Sequence, residues 1–219
     1  MCSEQGKRLL KLFRPYQYYQ QHIFPHLLDQ VMKTASLMDA RRELLLPISD
    51  ECLEIGFGTG LNLAFYQNLN VLYALEPNAH IEALSSDRLA QSNFEIRHLR
   101  NFAESIPLPT NSVKNVLSTW TMCSIPKLEQ ALAEIYRVMQ VGGTFHLVEH
   151  VYSDQTSTQR WQNALTPIQK KLADGCHLNR NIEHYLKNAG FEFVEKRYFY
   201  ADGIPAIGNR MLMARVQKR

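Results

Sequence analysis

The sequence lacks the features that define several classes of protein. Its 219 residues contain no apolar run of about 18 residues, so no segment is expected to span a membrane. The apolar patch near the start is too short for the hydrophobic region of a secretory signal peptide. The four cysteines are far apart and form no Cys-x-x-Cys pair; they are Cys2, Cys52, Cys123 and Cys176. Neither a disulfide framework nor a zinc site is therefore expected, and we expect reduced thiols in the cytoplasm.

An excess of charge of one sign is also missing. The 24 basic residues nearly balance the 21 acidic ones, which leaves a formal net charge of +3. A protein that binds the nucleic-acid backbone usually has a concentrated basic face, and no such face is evident here, so no nucleic-acid partner is expected. Hydrophobic residues make up 45% of the chain, which is enough for one sizeable core. A single α/β domain fits this composition.

The chain does contain short apolar runs that alternate with helical stretches. Residues 7–45 show helical spacing of apolar residues, with breaks near Pro15 and Pro25. Five runs of the length of buried parallel strands follow, at 51–55, 71–76, 94–98, 114–119 and 144–151. Helices are predicted between them at 60–68, 78–88 and 127–139. This alternation predicts right-handed crossovers and a doubly wound sheet.

The C-terminal end has a different pattern. A helix is predicted at 180–189, followed by strands at 191–200 and 210–216. The loop between these strands is too short for a crossover helix, so the two strands are predicted to be antiparallel. The earlier helix at 127–139 is expected to stop at the Gly142-Gly143 pair.

A glycine-rich segment, Gly56-Phe57-Gly58-Thr59-Gly60, directly follows the first predicted strand. Glycines permit a tight turn and a close approach of a ligand to the backbone, and the next helix presents unpaired N–H groups. Glu76 ends the second predicted strand, where a carboxylate can accept hydrogen bonds from both hydroxyls of a ribose. The glycines alone would be explained by a tight turn, but together with the acid they predict a nucleotide site.

A dinucleotide is disfavoured as the ligand of this site. Its fingerprint is Gly-x-Gly-x-x-Gly, whereas the spacing here is Gly-x-Gly-x-Gly and position 61 is leucine. Glu54, just before the loop, would repel two phosphates and suits a cationic or amino-acid-bearing ligand better. A nicotinamide oxidoreductase is therefore disfavoured.

Nearly the whole chain resembles class I S-adenosylmethionine-dependent methyltransferases, whose glycine motif and acid are matched by residues 54–60 and Glu76. It is most similar to the small-molecule branch related to ubiquinone-biosynthesis methyltransferases, and within it to bacterial relatives of the methyltransferase-like 7 group. Some members of that branch look like thiol methyltransferases. The stretches that carry this similarity are IFPHLL at 23–28, STWTMCSIP at 118–126, VEHV at 148–151 and GCHLNR at 175–180.

The resemblance implies a Rossmann-like, doubly wound sheet of seven strands in the order 3-2-1-4-5-7-6, with the last strand antiparallel. S-adenosylmethionine would bind over the carboxyl ends of strands one, two and four, and S-adenosylhomocysteine would be the product. The implied cofactor-binding residues are Glu54, Gly56, Gly58, Thr59, Gly60, Glu76, Pro77, Ala103, Ser118, Thr119 and Tyr19. The sequence departs from the family pattern at Phe102, where relatives often have an acid that accepts a hydrogen bond from the adenine amino group. Asn101 or Glu104 could accept this hydrogen bond instead.

On the substrate side the resemblance implies Trp120, Cys123, His177 and Arg180, with His150 as a candidate catalytic base. Each has a structural alternative. Trp120 would pack in the core, Cys123 would fill a buried space, and the two histidines would hold a loop. Arg180 would cap a helix or pair with a carboxylate. Methyl transfer needs mainly alignment of donor and acceptor, so a dedicated base is not obligatory.

The expected organisation is one methyltransferase domain over residues 1–219. Residues 1–46 would form a helical lid, and 47–219 the cofactor-binding core, with a substrate-side insert near 152–178. The aromatic and basic residues of the lid either pack on the domain or contact a membrane surface peripherally. The expected function is methylation of a thiol, hydroxyl, amine or activated carbon of a small molecule. The alternative is a catalytically silent S-adenosylmethionine-binding protein, which Phe102 together with a blocked acceptor pocket would indicate.

Overall fold

A seven-stranded sheet organises the computed structural model, which describes residues 15–219. The strands β1 to β7 are Ser49–Ile55, Asn68–Leu75, Glu95–Leu99, Val113–Thr119, Met139–His150, Glu192–Tyr200 and Arg210–Gln217. Their order in the sheet is 3-2-1-4-5-7-6. Strand β7 is antiparallel to both of its neighbours, and the other pairs are parallel. The predicted fold, including the antiparallel C-terminal pair, is confirmed.

Helices pack on both faces of this sheet. Helices α1 to α7 are Phe24–Val31, Ala35–Leu45, Ala79–Glu82, Ser86–Leu89, Leu128–Val138, Thr156–Leu172 and Ile182–Asn188. Because successive strand residues point to opposite faces, Cys52 and Leu53 of β1 belong to different hydrophobic clusters. Leu53 shares its cluster with Leu132 of α5 and Leu186 of α7, and Cys52 shares its own with Leu44 of α2. Among the described residues, no helix has the length and apolar character needed to cross a bilayer.

The first two helices predicted in the core region are shorter than expected. The segment predicted as a helix at 60–68 forms only a 3₁₀ turn, Leu61–Phe65, because β2 already begins at Asn68. The segment predicted at 78–88 is divided into α3 and α4 by a second 3₁₀ turn, Ala83–Ser85. The loop after β1 is therefore followed by a short turn rather than by a long helix.

The Gly142-Gly143 pair does not end a helix, so that prediction was wrong. Helix α5 ends at Val138, and Met139 already pairs with Val113 of β4. Strand β5 then continues through both glycines. A Cβ atom on Gly143 would lie 2.8 Å from the backbone oxygen of Lys114, so glycine permits the close approach of the strands beside a register shift.

The residues before β1 contact the long helix that follows β5. The hydroxyl of Tyr16 donates to the backbone oxygen of Lys171 (2.8 Å), and that of Tyr19 donates to the backbone oxygen of Leu172 (2.9 Å). Tyr19 begins a π-helical turn, Tyr19–Ile23, and both acceptors lie near the end of α6. These contacts join the segment predicted as a helical lid to the predicted substrate-side insert. Cys2 and five of the aromatic and basic residues predicted for the lid lie outside the described residues; the five are Lys7, Arg8, Lys11, Phe13 and Arg14.

Candidate active site

A cavity of about 760 Å³ opens at the carboxyl ends of the central strands. It is lined by Gly56 after β1, Glu76 after β2, Trp120 after β4 and His150 at the end of β5. Ligands of open α/β sheets bind at this edge, where the strand order reverses. The rest of the wall is mainly apolar and includes residues of α1 and of the loop between β6 and β7.

The glycine loop has a left-handed backbone at each of its three glycines. The φ angles of Gly56, Gly58 and Gly60 are 71°, 60° and 75°. A Cβ atom on Gly56 would lie 2.2 Å from Oγ1 of Thr121, so both conformation and space require glycine there. Gly56 lines the cavity, whereas Gly58 and Gly60 lie off its wall and shape the turn.

Glu76 is buried at the end of β2 and lies on the cavity wall. One carboxylate oxygen accepts the N–H of Gly58 (3.0 Å) and the other accepts the N–H of Asn78 (2.9 Å). Burial raises the pKa of Glu76, although these two hydrogen bonds oppose the shift. Each oxygen retains a lone pair for a further donor, so the residue can accept both hydroxyls of a ribose. The residues present therefore fit a nucleoside.

Three further wall residues lie where the adenine is predicted. Pro77 and Ala103 both line the cavity. Phe102 lines it too, with 63% of its surface exposed. Of the two residues that could replace the missing acid, Glu104 lies on the wall and Asn101 does not. Glu104 is therefore the better placed of the two, and its contact with the adenine stays a prediction.

Glu54 and Thr119 lie off the cavity wall in a buried hydrogen-bond network. The Glu54 carboxylate accepts from Nδ2 of Asn62 and from the hydroxyl of Tyr66, both at 2.8 Å. Asn62 also donates to Oγ1 of Thr119 (3.0 Å). The network ties the ends of β1 and β4 to the turn after the glycine loop. A direct contact of either residue with the cofactor stays a prediction.

Thr59 and Ser118 are also buried and off the wall. The hydroxyl of Thr59 donates to Asp29 of α1 (2.7 Å), and that of Ser118 donates to Glu149 (3.2 Å). Glu149 additionally accepts two backbone N–H groups of the loop after β4, both at 2.8 Å. Burial, with the nearby charge of Cys123 adding to it, raises the pKa of Glu149 to about 8. Glu149 lies in the VEHV stretch at 148–151, but no motif in the sequence predicts its role.

Glu54 provides a test of the buried network. Burial, partly opposed by Tyr66 and Asn62, raises the pKa of Glu54 from 4.5 to about 7. Between these values the folded protein keeps a proton that the unfolded chain releases. The free energy of unfolding is therefore expected to fall as pH rises through this window, by about 3 kcal/mol.

A Glu54→Gln variant cannot ionise, so it should lack this decline. Thermal unfolding at about pH 5 and about pH 8 should show a smaller loss of stability in the variant than in the wild type. Glu51→Gln, on the same strand but partly exposed, is the control and should keep the wild-type dependence. Parallel pH curves for Glu54→Gln and the wild type would contradict the assignment.

Trp120 combines core packing with a place on the cavity wall. Its backbone is left-handed (φ 55°) directly after β4. The guanidinium of Arg41 lies 4.6 Å from the ring centroid, and the indole N–H donates to Sδ of Met211 (3.2 Å). The position of Trp120 is therefore compatible both with core packing and with the predicted contact with substrate.

Cys123, His150 and Cys176 meet on the same cavity wall and are called the Cys–His–Cys cluster below. All three are buried, and their sulfur and nitrogen atoms lie within 4.8 Å of one another. Nε2 of His150 is 3.2 Å from Sγ of Cys176. His177 and Arg180 are the substrate-side predictions from the GCHLNR stretch, whereas the structure places Cys176 of this stretch on the wall.

The cluster also shifts the ionisation of its members. The hydrogen bond from Cys176 lowers the pKa of Cys123 most, and the charge of His150 adds to this effect. Burial is the largest effect on the pKa of His150 and would lower it, but the charge of Cys123, a hydrogen bond with Cys123 and the charge of Glu149 together outweigh burial, so the pKa is raised. The thiolate form of Cys123 is thereby favoured.

His177 and Arg180 lie off the wall and tie loops together. The backbone N–H of His177 donates to the oxygen of Cys123 (2.9 Å). The buried Arg180 guanidinium donates to the backbone oxygens of Met122 and of Ile125, the latter at 2.6 Å. Both residues thus hold the segment before α7 against the loop after β4, and their predicted contacts with substrate stay predictions.

The sheet order, the glycine loop and the buried acid define a Rossmann-like protein with a cavity whose residues fit a nucleoside and whose remaining wall is mainly apolar. A methyltransferase-domain family model matches residues 53–147. Thiol S-methyltransferase TMT1B of Rattus norvegicus is 30% identical over 205 residues, which cover 85% of this chain and 82% of the relative. Thiol S-methyltransferase TMT1A of Homo sapiens is 30% identical over 196 residues, which cover 81% of this chain and 79% of the relative.

A solved structure shows the same fold. It is that of a geranyl diphosphate methyltransferase in complex with S-adenosylmethionine, with a TM-score of 0.64 at 12% identity, covering 83% of this chain and 84% of that chain. The chain belongs to the class I S-adenosylmethionine-dependent methyltransferases. It is an enzyme that uses S-adenosylmethionine to methylate a small molecule, as the resemblance implied.

Proposed function

We propose that this methyltransferase is a thiol S-methyltransferase. The observation that carries the proposal is the pair of thiol S-methyltransferases that are 30% identical over 85% and 81% of this chain. The site supports it, because the cavity contains both a ribose-type acceptor, Glu76, and a group of sulfur and imidazole side chains. The two features line one continuous space, so the acceptor pocket is open. This argues against the alternative of a catalytically silent binder.

In this proposal one part of the cavity wall binds the cofactor and another part binds the acceptor. Glu76 accepts the ribose hydroxyls, and Gly56, Pro77 and Ala103 form the wall beside the nucleoside. When bound, S-adenosylmethionine supplies an electrophilic methyl group on a positively charged sulfur. The acceptor half is apolar, with side chains from α1 and from the loop between β6 and β7; these are Leu28, Val31, Ile204 and Ile207. Such a wall favours a lipophilic thiol.

The acceptor must lose its proton, because the thiolate rather than the thiol is the nucleophile. His150 lies on the acceptor side of the cavity, and we retain it as the candidate catalytic residue on which this step depends. The polarity of the Cys–His–Cys cluster contrasts with the apolar wall around it. It therefore marks the end of the cavity where the sulfur of the acceptor would lie.

The proposal predicts a strong preference for sulfur over other acceptor atoms. A lipophilic thiol, the alcohol and the amine with the same carbon skeleton are each incubated with enzyme and S-adenosylmethionine. A thiol with a pKa near 8.5 is partly ionised at neutral pH and an alcohol is not, so we expect the thiol to react about 100-fold faster or more. S-adenosylhomocysteine and the methylated product are measured together by mass spectrometry.

The other outcomes separate the competing functions. Equal or faster turnover of the alcohol or the amine would contradict a thiol S-methyltransferase. Calorimetric binding of S-adenosylmethionine without turnover of any acceptor would favour the silent binder. NADH serves as the negative control for nucleotide binding, since the glycine spacing disfavours a dinucleotide.

A further inference from the structure

The Cys–His–Cys cluster brings together three parts of the chain that are far apart in sequence. Cys123 lies in the loop after β4, His150 ends β5, and Cys176 lies between α6 and α7. Their donor atoms lie within 4.8 Å of one another, and all three side chains are buried and line the cavity. The sequence predicts no zinc site, because no two cysteines are close along the chain. The fold nevertheless brings Cys123 and Cys176 together with His150.

The spacing of the donor atoms suits a tetrahedral metal ion. Zinc–sulfur bonds of about 2.3 Å and zinc–nitrogen bonds of about 2.0 Å separate the ligand atoms by about 3.8 Å (S–S) and about 3.5 Å (S–N). The distance from Nε2 of His150 to Sγ of Cys176 is 3.2 Å, so shifts of a few tenths of an ångström are enough for this pair. Two thiolates and an imidazole select zinc over magnesium or calcium, which prefer oxygen.

The loops that hold the two cysteines are fixed to each other before any metal binds. The N–H of His177 donates to the backbone oxygen of Cys123 (2.9 Å), and Arg180 donates to that of Ile125 (2.6 Å). A Cβ atom on Gly175 would lie 2.9 Å from the backbone oxygen of Ser124, so the glycine before Cys176 permits the close approach. A rigid arrangement of this kind reduces the cost of ordering the ligands.

We propose that Cys123, His150 and Cys176 bind a zinc ion whose fourth coordination position faces the cavity. Three protein ligands and one open position are the arrangement of catalytic rather than structural zinc. We further propose that the open position binds the acceptor thiol as a thiolate; this second part rests on the proposed thiol S-methyltransferase function. His150 would then act as a metal ligand, which replaces its role as a base.

The reaction balances without any further reactant. On binding to zinc, the acceptor thiol releases its proton to solvent. A lone pair of its sulfur forms the new bond to the methyl carbon, and the bond from that carbon to the sulfonium sulfur breaks with both electrons remaining on that sulfur. The products are a thioether and S-adenosylhomocysteine. A thioether is neutral and a weak ligand, so it leaves the metal readily.

Metal binding is tested in a Cys2→Ala/Cys52→Ala background, in which the cluster cysteines are the two that remain of the four in the chain. The protein is reduced, freed of metal with a chelator and titrated with Co²⁺, a probe for tetrahedral zinc sites. We expect one ion per chain, thiolate-to-cobalt charge-transfer absorption, displacement by Zn²⁺ and a higher melting temperature with metal.

Single variants assign the ligands. Cys123→Ser, Cys176→Ser and His150→Ala should each weaken metal binding by about 100-fold or more, since even residues that only support a ligand contribute 10- to 100-fold. His184→Ala is the matched control, because this exposed histidine of α7 lies outside the cluster, and it should bind metal like the parent. Circular dichroism checks that each variant folds.

Three results would overturn the zinc site. The first is that the reduced parent takes up no metal, and the second is that both serine variants take up metal as the parent does. The third is that the protein is isolated with a Cys123–Cys176 disulfide and binds no metal after this disulfide is reduced. The second part has its own test: a lipophilic thiol should add charge-transfer absorption to the Co²⁺-loaded protein, and the matched alcohol should not. If the metal-free protein methylates the thiol as fast as the zinc-loaded protein, the zinc-bound thiolate is wrong. If the protein binds metal but methylates no thiol, the proposed function is wrong and the zinc site is unaffected.

Discussion

Replacing Glu76 with alanine is expected to weaken the binding of S-adenosylmethionine by about 100-fold or more. Hydrogen bonds to a charged acceptor contribute about 1.5–3 kcal/mol each, and the variant loses two of them, one for each ribose hydroxyl. The variant also leaves the N–H groups of Gly58 and Asn78 without their acceptor, which loosens the loop on which the nucleoside rests. Calorimetric titration with S-adenosylmethionine and S-adenosylhomocysteine measures the effect.

Two further variants make this test specific. Glu76→Gln keeps the shape of the side chain but loses the charge, so its affinity should fall between those of the wild type and the alanine variant. Glu95→Gln removes an exposed carboxylate of the neighbouring strand β3 and should change nothing. Unchanged affinity in Glu76→Ala would show that the ribose binds elsewhere.

Glu76 should also make cofactor binding depend on pH. Burial raises the pKa of its carboxyl group, so the carboxylate takes up a proton at a higher pH than an exposed glutamate would. The affinity of the wild type for S-adenosylmethionine is therefore expected to fall as the solution is acidified towards that raised pKa. Glu76→Gln cannot titrate at this position and should lose that part of the dependence.

The sequence predicted the sheet better than the helices. The strands are visible in the local sequence, whereas the ends of the helices depend on contacts with residues that are distant along the chain. The central strands β1, β2, β4 and β5 contain apolar runs whose burial can be predicted from the local sequence. The end of α5 is different, because Val138 is followed by a residue that already pairs with β4. The Gly142-Gly143 pair fits a helix stop when only local propensity is considered, and its role beside Lys114 becomes visible only when the strands are adjacent.

The same distinction divides the candidate site. Gly56 and Glu76 belong to motifs that are short in sequence, and both lie on the cavity wall. Cys176 is 26 residues from His150 and comes from a segment with no metal-binding spacing, so its place in the cluster depends on the fold. Arg180 contacts backbone oxygens 55 and 58 residues earlier, which sequence spacing does not indicate.

Replacing Arg180 with glutamine is expected to lower the free energy of unfolding by about 2–4 kcal/mol. The guanidinium satisfies the buried backbone oxygens of Met122 and Ile125, and each unsatisfied group costs about 1–3 kcal/mol. For a chain of this size the loss corresponds to roughly 5–15 °C in melting temperature. Arg215→Gln, which removes an exposed pair with Glu195, is the control and should shift the melting temperature little.

Activity measurements decide whether Arg180 positions the site or binds substrate. Its guanidinium is engaged with loop carbonyls and lies off the cavity wall, so we expect a positioning residue. Well below the melting temperature, Arg180→Lys should then lower kcat/KM by the same factor for acceptors with and without a carboxylate, because one ammonium group cannot hold both carbonyls as a guanidinium does. A loss confined to the KM of carboxylate-bearing acceptors would instead identify Arg180 as the group that binds an acidic substrate. Since Arg180 fixes the loop that contains Cys123, its variants should also weaken Co²⁺ binding, but less than removal of a ligand does.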